Sequence, residues 1–254
     1  MRKHLRILAS DEEQVKANWL VWFLMAAKVA ALVGLVNWLF PTAIPYSFFQ
    51  LWHTTGTPVE WLWASWPILV WAIGWTALIS ALTLNSRREN YNAEAFYARG
   101  LWLSLRAGVM EEVVFRWLLF MWSIAMAKAV DYILGGFIFE HGFVWWFQTT
   151  LILPVANFFT MGLLKSVLTD ASTWYIAAGL IIANSRFRDG HKYQGLFGLI
   201  NSWFIGMYFF YLMFTFGLVA AIIVHLVYDV LIFTIRYLDQ LQERARGVHK
   251  DSNQ

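Results

Sequence analysis

Two adjacent glutamates and an arginine lie inside an apolar, helix-length stretch that runs from Gly108 to Phe120. Each ionisable group placed at the centre of a membrane helix costs roughly 2.5–3.5 kcal/mol on insertion scales, so it faces a protein interior or a water-filled cavity. Residues four apart on a helix share a face, so Glu112 and Arg116 can pair. Glu111 is rotated by about 100° from Glu112. We therefore expect the partners of Glu111 to come from elsewhere in the chain.

The composition predicts an all-α membrane protein. Of the 254 residues, 59% are hydrophobic and only 14% are charged, whereas a soluble domain carries about 25% charged residues. Several apolar runs reach about 20 residues, the length that crosses about 30 Å of hydrocarbon. The absence of cysteine excludes disulfides and thiolate chemistry. In a membrane protein, a net charge of +3 reflects the basic residues of the loops, which determine the orientation in the membrane, rather than nucleic-acid binding. We expect a polytopic helical bundle in a lipid bilayer.

The apolar runs predict seven spans, at about residues 17–40, 59–84, 107–130, 143–168, 171–191, 196–216 and 218–236. Pro67 predicts a kink in the second span. Basic residues cluster in 1–16 and in 85–100, and the positive-inside rule places both on the cytoplasmic side. Seven crossings would leave the basic tail outside, so an eighth crossing or a re-entrant segment is expected, in 131–168 or 196–216. The predicted total is about seven or eight transmembrane helices.

This reading divides the chain into three parts. Residues 1–106 form a basic segment, two spans and an amphipathic connector on the membrane surface, residues 107–238 form the helical core, and residues 239–254 form a polar tail. The short loops and the lack of a targeting signal favour the bacterial inner membrane, with a cytoplasmic N-terminus.

Two later segments repeat the four-residue spacing of the first. Phe187 precedes His191 by four residues, and His225 precedes Asp229 by four, so each pair shares one helix face. Glu111, His191 and His225 can then converge in the interior of a bundle. A carboxylate and a histidine together can hold and deprotonate a water molecule, and a second histidine can donate to a developing oxyanion.

The two glutamates are expected to differ in role. Glu112, paired with Arg116, is expected to be structural, whereas Glu111 is the better candidate for a general base. The end of the fifth span is unusually polar, and its residues are either the mouth of a site or a solvated helix end; they are Asn184, Arg186, Arg188 and Asp189.

The order of these motifs resembles the CPBP or "Abi" family of membrane proteins, the CAAX-type intramembrane endopeptidases and bacteriocin-processing enzymes related to the Ras-converting endopeptidase. The family pattern is Glu-Glu-x-x-x-Arg, Phe-x-x-x-His and His-x-x-x-Asn or Asp. Here it is matched by Glu111-Glu112-x-x-x-Arg116, by Phe187 with His191, and by His225 with Asp229, and the similarity covers about residues 108–233.

The resemblance implies a glutamic peptidase without a cofactor. Glu111 and His191 would activate water, His225 and the residue at 229 would stabilise the oxyanion, and Glu112 with Arg116 would orient the site. The substrate would be a membrane protein or peptide, with or without a lipid anchor, cleaved near the cytoplasmic face. Two departures stand out: Asp229 replaces the asparagine usual in the prenyl-processing branch, and the spacer 188–190 is more polar than usual.

Three other readings remain open from the sequence. A metal-dependent version of the same site would use Glu111, His191 and His225 as zinc ligands, although no His-Glu-x-x-His motif occurs. A proton-coupled transporter would use the intramembrane Glu, His, Asp and Arg residues as a relay. A non-catalytic scaffold or bacteriocin-immunity protein would need none of these side chains for chemistry.

Overall fold

The computed structural model describes residues 11–83, 93–137, 146–159, 162–168 and 174–251. Most of these residues are helical, and no strand occurs among them. The helices are α1 (Asp11–Leu39), α2 (Pro58–Ala64), α3 (Trp66–Thr83), α4 (Ala93–Glu111), α5 (Phe120–Phe137), α6 (Leu153–Phe159), α7 (Lys165–Leu168), α8 (Trp174–Gly190), α9 (Gly195–Phe216) and α10 (Leu218–Asp251). Two π-helical segments lie at Glu112–Leu119 and Gln148–Ile152. The all-α prediction is confirmed for this part of the chain.

Three helical stretches of the described residues are long and apolar enough to cross a membrane: Glu94–Leu134, Lys192–Phe216 and Leu218–Gln242. A bent pair, Pro58–Ala64 with Trp66–Ser80, would make a fourth if it forms one span, and Phe23–Leu39 is a shorter apolar helix. The total of seven or eight spans therefore stays a prediction.

A bend lies close to the position at which Pro67 predicted a kink. The axes of α2 and α3 meet at 56°, at the break that contains Ser65. Pro67 is the second residue of α3, where a missing backbone N–H is tolerated. At the other end, Pro58 begins α2 behind a capping box in which Thr57 and Glu60 bond to each other's backbone N–H.

The helix that carries the two glutamates is longer than its predicted span. The helix α4 runs without a break through the π segment into α5. The surface connector was expected over residues 91–106. Its described part, from Ala93 onwards, is continuous with the predicted third span. The basic residues Arg87 and Arg88 lie outside the described residues, as does the N-terminal segment 1–10.

The predicted polar tail is helical as far as Asp251, because α10 continues beyond its apolar part. At this end, α4 and α10 are joined by an exposed ion pair, in which Arg244 Nη1 lies 3.5 Å from Glu94 Oε1. Tyr97 stacks on Tyr237 with ring centroids 4.9 Å apart. These contacts align the two helices along the length that leads to the glutamates.

Small residues let α4 approach α10 closely. Gly100, Ser104 and Gly108 recur every four residues and so share one face of α4. A Cβ added at Gly108 would lie 3.4 Å from the backbone nitrogen of Leu226. Such close backbone approach is typical of small-residue interfaces between membrane helices. It brings the end of α4 directly against the part of α10 that carries His225.

The turn between α9 and α10 depends on one glycine. Gly217 has φ of +96°, and a Cβ there would overlap the carbonyl oxygen of His53. Thr55 N donates to Phe216 O at 3.1 Å, so the loop before α2 lies directly on this turn. The contact holds α9 and α10 as an antiparallel pair.

We expect Gly108→Leu to destabilise the protein, because a leucine side chain cannot fit against the backbone of α10. The matched control is Gly74→Leu in α3, where nothing lies within 4 Å of the added Cβ. The midpoint of thermal unfolding in detergent, followed by tryptophan fluorescence, should fall clearly for Gly108→Leu and little for Gly74→Leu. Equal midpoints would contradict the close contact.

Candidate active site

One histidine on α10 is contacted by Glu111, the last residue of α4, and by Glu112, the first residue of the π-helical segment. Glu112 Oε1 lies 2.8 Å from His225 Nδ1, and Glu111 Oε2 lies 4.0 Å from His225 Nε2. Consecutive residues thus reach the two nitrogens of a single imidazole. The π-helical segment starts at Glu112, and π turns within α-helices are frequent at functional sites. The predicted partner of Glu111 therefore comes from α10.

The bond between Glu112 and His225 is fully enclosed. Glu112 is 0% exposed and His225 is 5% exposed. The carboxylate is also paired with Arg116, and a carboxylate can only accept hydrogen bonds, so Nδ1–H is the donor. In the neutral ring this leaves Nε2 as an acceptor, and in the protonated ring Nε2–H is a second donor. Glu112 therefore fixes both the orientation of His225 and the nitrogen that faces the rest of the site.

The Nε2 side of His225 faces two more accessible carboxylates. Asp229 Oδ2 lies 3.8 Å from Nε2, and Glu111 Oε2 lies 4.0 Å from it. The exposed fractions of these side chains are 21% for Asp229 and 28% for Glu111. Both distances exceed the usual 2.7–3.2 Å of a hydrogen bond and suit a bridging water molecule. Of the two sides of the His225 ring, this is the more accessible one.

Arg116 is fully buried beneath the carboxylates. Its Nη1 lies 3.3 Å from Glu112 Oε1, so the ion pair predicted from the four-residue spacing is confirmed. The guanidinium carbon lies 3.9 Å from the ring centroid of Phe187, 5.4 Å from that of Phe209 and 5.7 Å from that of Phe210. Aromatic faces attract a cation, more strongly where it is desolvated.

His191 does not join the other five predicted residues. It follows the last residue of α8, its Nδ1 lies 2.9 Å from Phe187 O, and its ring lies 4.7 Å from the Phe187 ring. Within the described residues, no hydrogen bond or ion pair joins His191 to Glu111. Its link to the cluster runs through Phe187, which packs on Arg116. The predicted convergence of Glu111, His191 and His225 is therefore incomplete in this structure.

The polar end of α8 divides into two parts. Arg188 and Asp189 form an exposed ion pair, with Nη2 2.6 Å from Oδ1. Asn184, grouped with them in the sequence, is instead 0% exposed and bonds to α9. Asn184 precedes Phe187 by three residues and His191 by seven, so it lies on the same helix face. This spacing is the sequence feature from which its place beside Phe187 could have been predicted.

Phe209 is the site residue that sequence reasoning missed. Its ring stacks on His225 with centroids 4.5 Å apart and an interplanar angle of 23°. One phenylalanine among 21 in the chain carries no recognisable signal. The stacking closes the face of the imidazole, so only the ring nitrogens are available for polar contacts.

The described residues contain no group of three or more histidine, aspartate or glutamate side chains that could hold a metal ion. Glu111, His191 and His225, the ligand set of the metal-dependent reading, do not form such a group among the described residues. In the comparisons with known proteins, no family model, curated protein or solved structure matches the chain.

We expect Glu112→Gln to destabilise the protein more than Glu111→Gln. The glutamine keeps an acceptor for His225 but leaves the buried Arg116 without a counter-charge, and breaking one partner of a buried pair costs about 3–5 kcal/mol. Glu111 is partly exposed, and a pair of this kind contributes about 0–1 kcal/mol. Thermal unfolding of both variants in detergent tests this difference, and a larger loss for Glu111→Gln would overturn the assignment.

Proposed function

We propose that this protein is an intramembrane glutamic-type endopeptidase of the CPBP or CAAX-protease kind. The observation that carries the proposal is the environment of His225, which is anchored by Glu112 on one nitrogen and faces Glu111 and Asp229 on the other. The order of the three sequence motifs supports the same reading. For hydrolysis of a peptide bond, the more accessible carboxylate can act as the general base. The buried, oriented imidazole can stabilise the oxyanion.

In the proposed reaction, Glu111 is the general base. A water molecule between Glu111 and His225 Nε2 gives a proton to the carboxylate as its oxygen attacks the carbonyl carbon of the peptide. The carbonyl oxygen becomes an oxyanion, which the protonated form of His225 stabilises through Nε2–H. When the C–N bond breaks, Glu111 returns the proton to the leaving nitrogen. The products are a carboxylic acid and an amine, which become a carboxylate and an ammonium group once the acid proton passes to the amine.

Asp229 and His191 complete the proposed site. Asp229 orients the Nε2 side of His225, since an ionised aspartate cannot donate to an oxyanion. His191 assists Glu111 in water activation once the substrate is bound, because catalytic hydrogen bonds are often long without substrate and tighten in the complex. Glu112 and Arg116 position the other groups.

The proposed substrate is a membrane-associated protein or peptide, with or without a lipid anchor, cleaved near the cytoplasmic face. We place the protein in the bacterial inner membrane with its N-terminus in the cytoplasm and seven or eight spans in total. The support is the clustering of basic residues in 1–16 and 85–100, which the positive-inside rule assigns to the cytoplasm. Along the sequence, Glu111 is closer to the second cluster than to Phe137, where α5 ends.

The test compares the termini of membrane proteins in cells that carry the wild type, Glu111→Gln or Glu94→Gln. Glu94 is the matched control, because it lies on the same helix with a side chain 62% exposed and far from His225. All three proteins must accumulate equally in the membrane. We expect cleaved termini with the wild type and Glu94→Gln, and none with Glu111→Gln.

Identical termini in all three strains would overturn the peptidase proposal, provided that deletion of the protein has a phenotype under those conditions. A phenotype that Glu111→Gln still rescues would then favour the scaffold or immunity reading.

A further inference from the structure

A buried asparagine on α8 lies against the arginine of the candidate site. Asn184 is 0% exposed, and its Nδ2 donates to the carbonyl oxygen of Trp203 on α9 at 3.0 Å. Since only the amide nitrogen can donate to a carbonyl, this bond fixes the orientation of the side chain. Oδ1 consequently points away from Trp203.

The amide oxygen of Asn184 and the guanidinium of Arg116 both lie next to Gly206. A Cβ added at Gly206 would overlap Asn184 Oδ1 and would lie 3.0 Å from Arg116 Nη2. The same Cβ would lie 2.9 Å from Phe187 Cδ1. Asn184 Oδ1 and Arg116 Nη2 therefore occupy the same small space, and Gly206 leaves room for both of them between α8 and α9.

The amide oxygen of Asn184 and the guanidinium of Arg116 both have unused hydrogen-bonding capacity. Asn184 Oδ1, Arg116 Nε and Arg116 Nη2 are buried and make no hydrogen bond within the described residues. Arginine carries five N–H donors, and its one ion-pair partner among these residues is Glu112 Oε1. Buried polar groups in proteins form hydrogen bonds in the great majority of cases. Asn184 Oδ1 is an acceptor and the Arg116 guanidinium is a cationic donor, so a hydrogen bond between them would satisfy both groups.

We propose that Asn184 is a positioning residue for the site, and that its Oδ1 binds the Arg116 guanidinium directly or through one water molecule. Arg116 is thereby held at a fixed distance from Glu112, which in turn holds His225 through Nδ1. The link connects α8 and α9 to the glutamates and to α10. The catalytic consequence rests on the proposed function, whereas the link itself does not.

The link is tested by nuclear magnetic resonance of the purified full-length protein with ¹⁵N-labelled histidine. His225→Ala identifies the signals of His225 among those of the six histidines. In the wild type we expect two separate ¹⁵N chemical shifts for His225, one for a protonated Nδ1 and one for Nε2. In Asn184→Leu and in Gly206→Ala we expect the two nitrogens to become averaged, because Glu112 is no longer held on Nδ1.

Gly206→Ala is the milder variant. The added methyl meets the end of the Asn184 side chain, so the amide can move while the helix backbone stays in place. The matched control is Asn201→Leu on the same helix α9, which removes an amide that accepts from Trp71 Nε1 at 2.8 Å. We expect this control to leave the His225 signals unchanged.

The peptidase readout separates this inference from the proposed function. If the wild type cleaves a substrate, kcat should fall by about 10- to 100-fold in Asn184→Leu and Gly206→Ala with KM unchanged, as expected for misplacement of catalytic groups. If the wild type cleaves nothing, the His225 signals alone decide the link. Signals identical to the wild type in both variants, or an equal change in Asn201→Leu, would overturn the role of Asn184.

Discussion

The structure around the site depends on one buried interaction, the contact of Glu112 with His225 and Arg116. A carboxylate and a guanidinium that are each 0% exposed can be accommodated in an apolar bundle only if they neutralise one another and are bonded further. Three other helices supply the residues that surround this pair. The helix α10 supplies His225, α8 supplies Phe187, and α9 supplies Phe209 and Phe210. The small residues of α4 serve the same contact, because they bring Glu112 within hydrogen-bond distance of His225 on α10.

In the proposed reaction, the adjacent glutamates perform two different tasks. Glu112 is enclosed and bound to two partners, so its position is fixed. Glu111 keeps a partly exposed carboxylate 4.0 Å from the free nitrogen of His225, where it can exchange a proton with a water molecule. A preorganised anchor beside a reactive group is the arrangement expected of a site that stabilises developing charge. Asp229 adds a third carboxylate on the reactive side.

The sequence was most informative where local geometry decides the outcome. The pairing of Glu112 with Arg116 follows from a spacing of four residues. The bend beside Pro67 lies where a new helix begins, a place at which proline is tolerated. For Glu111 the sequence predicted two histidine partners, His191 and His225, and helix packing decides that the contact is made with His225. His191 was expected in the cluster, but α8 ends just before it and its ring turns to Phe187. The roles of Gly206 and Asn184 depend on the distance between α8 and α9, which no pattern within one helix specifies.

The central claim is that Glu112 and His225 act as one buried pair, and a double-mutant cycle tests it most directly. Free energies of unfolding would be measured in mixed micelles for the wild type, Glu112→Leu, His225→Leu and the double variant. The unpaired Arg116 is common to both proteins that lack Glu112, so its cost cancels in the cycle. We predict a coupling of about 0.5–3 kcal/mol, the range found for residues in direct contact. Effects that add to within about 0.3–0.5 kcal/mol, as for distant and independent sites, would contradict the pair and the site built on it.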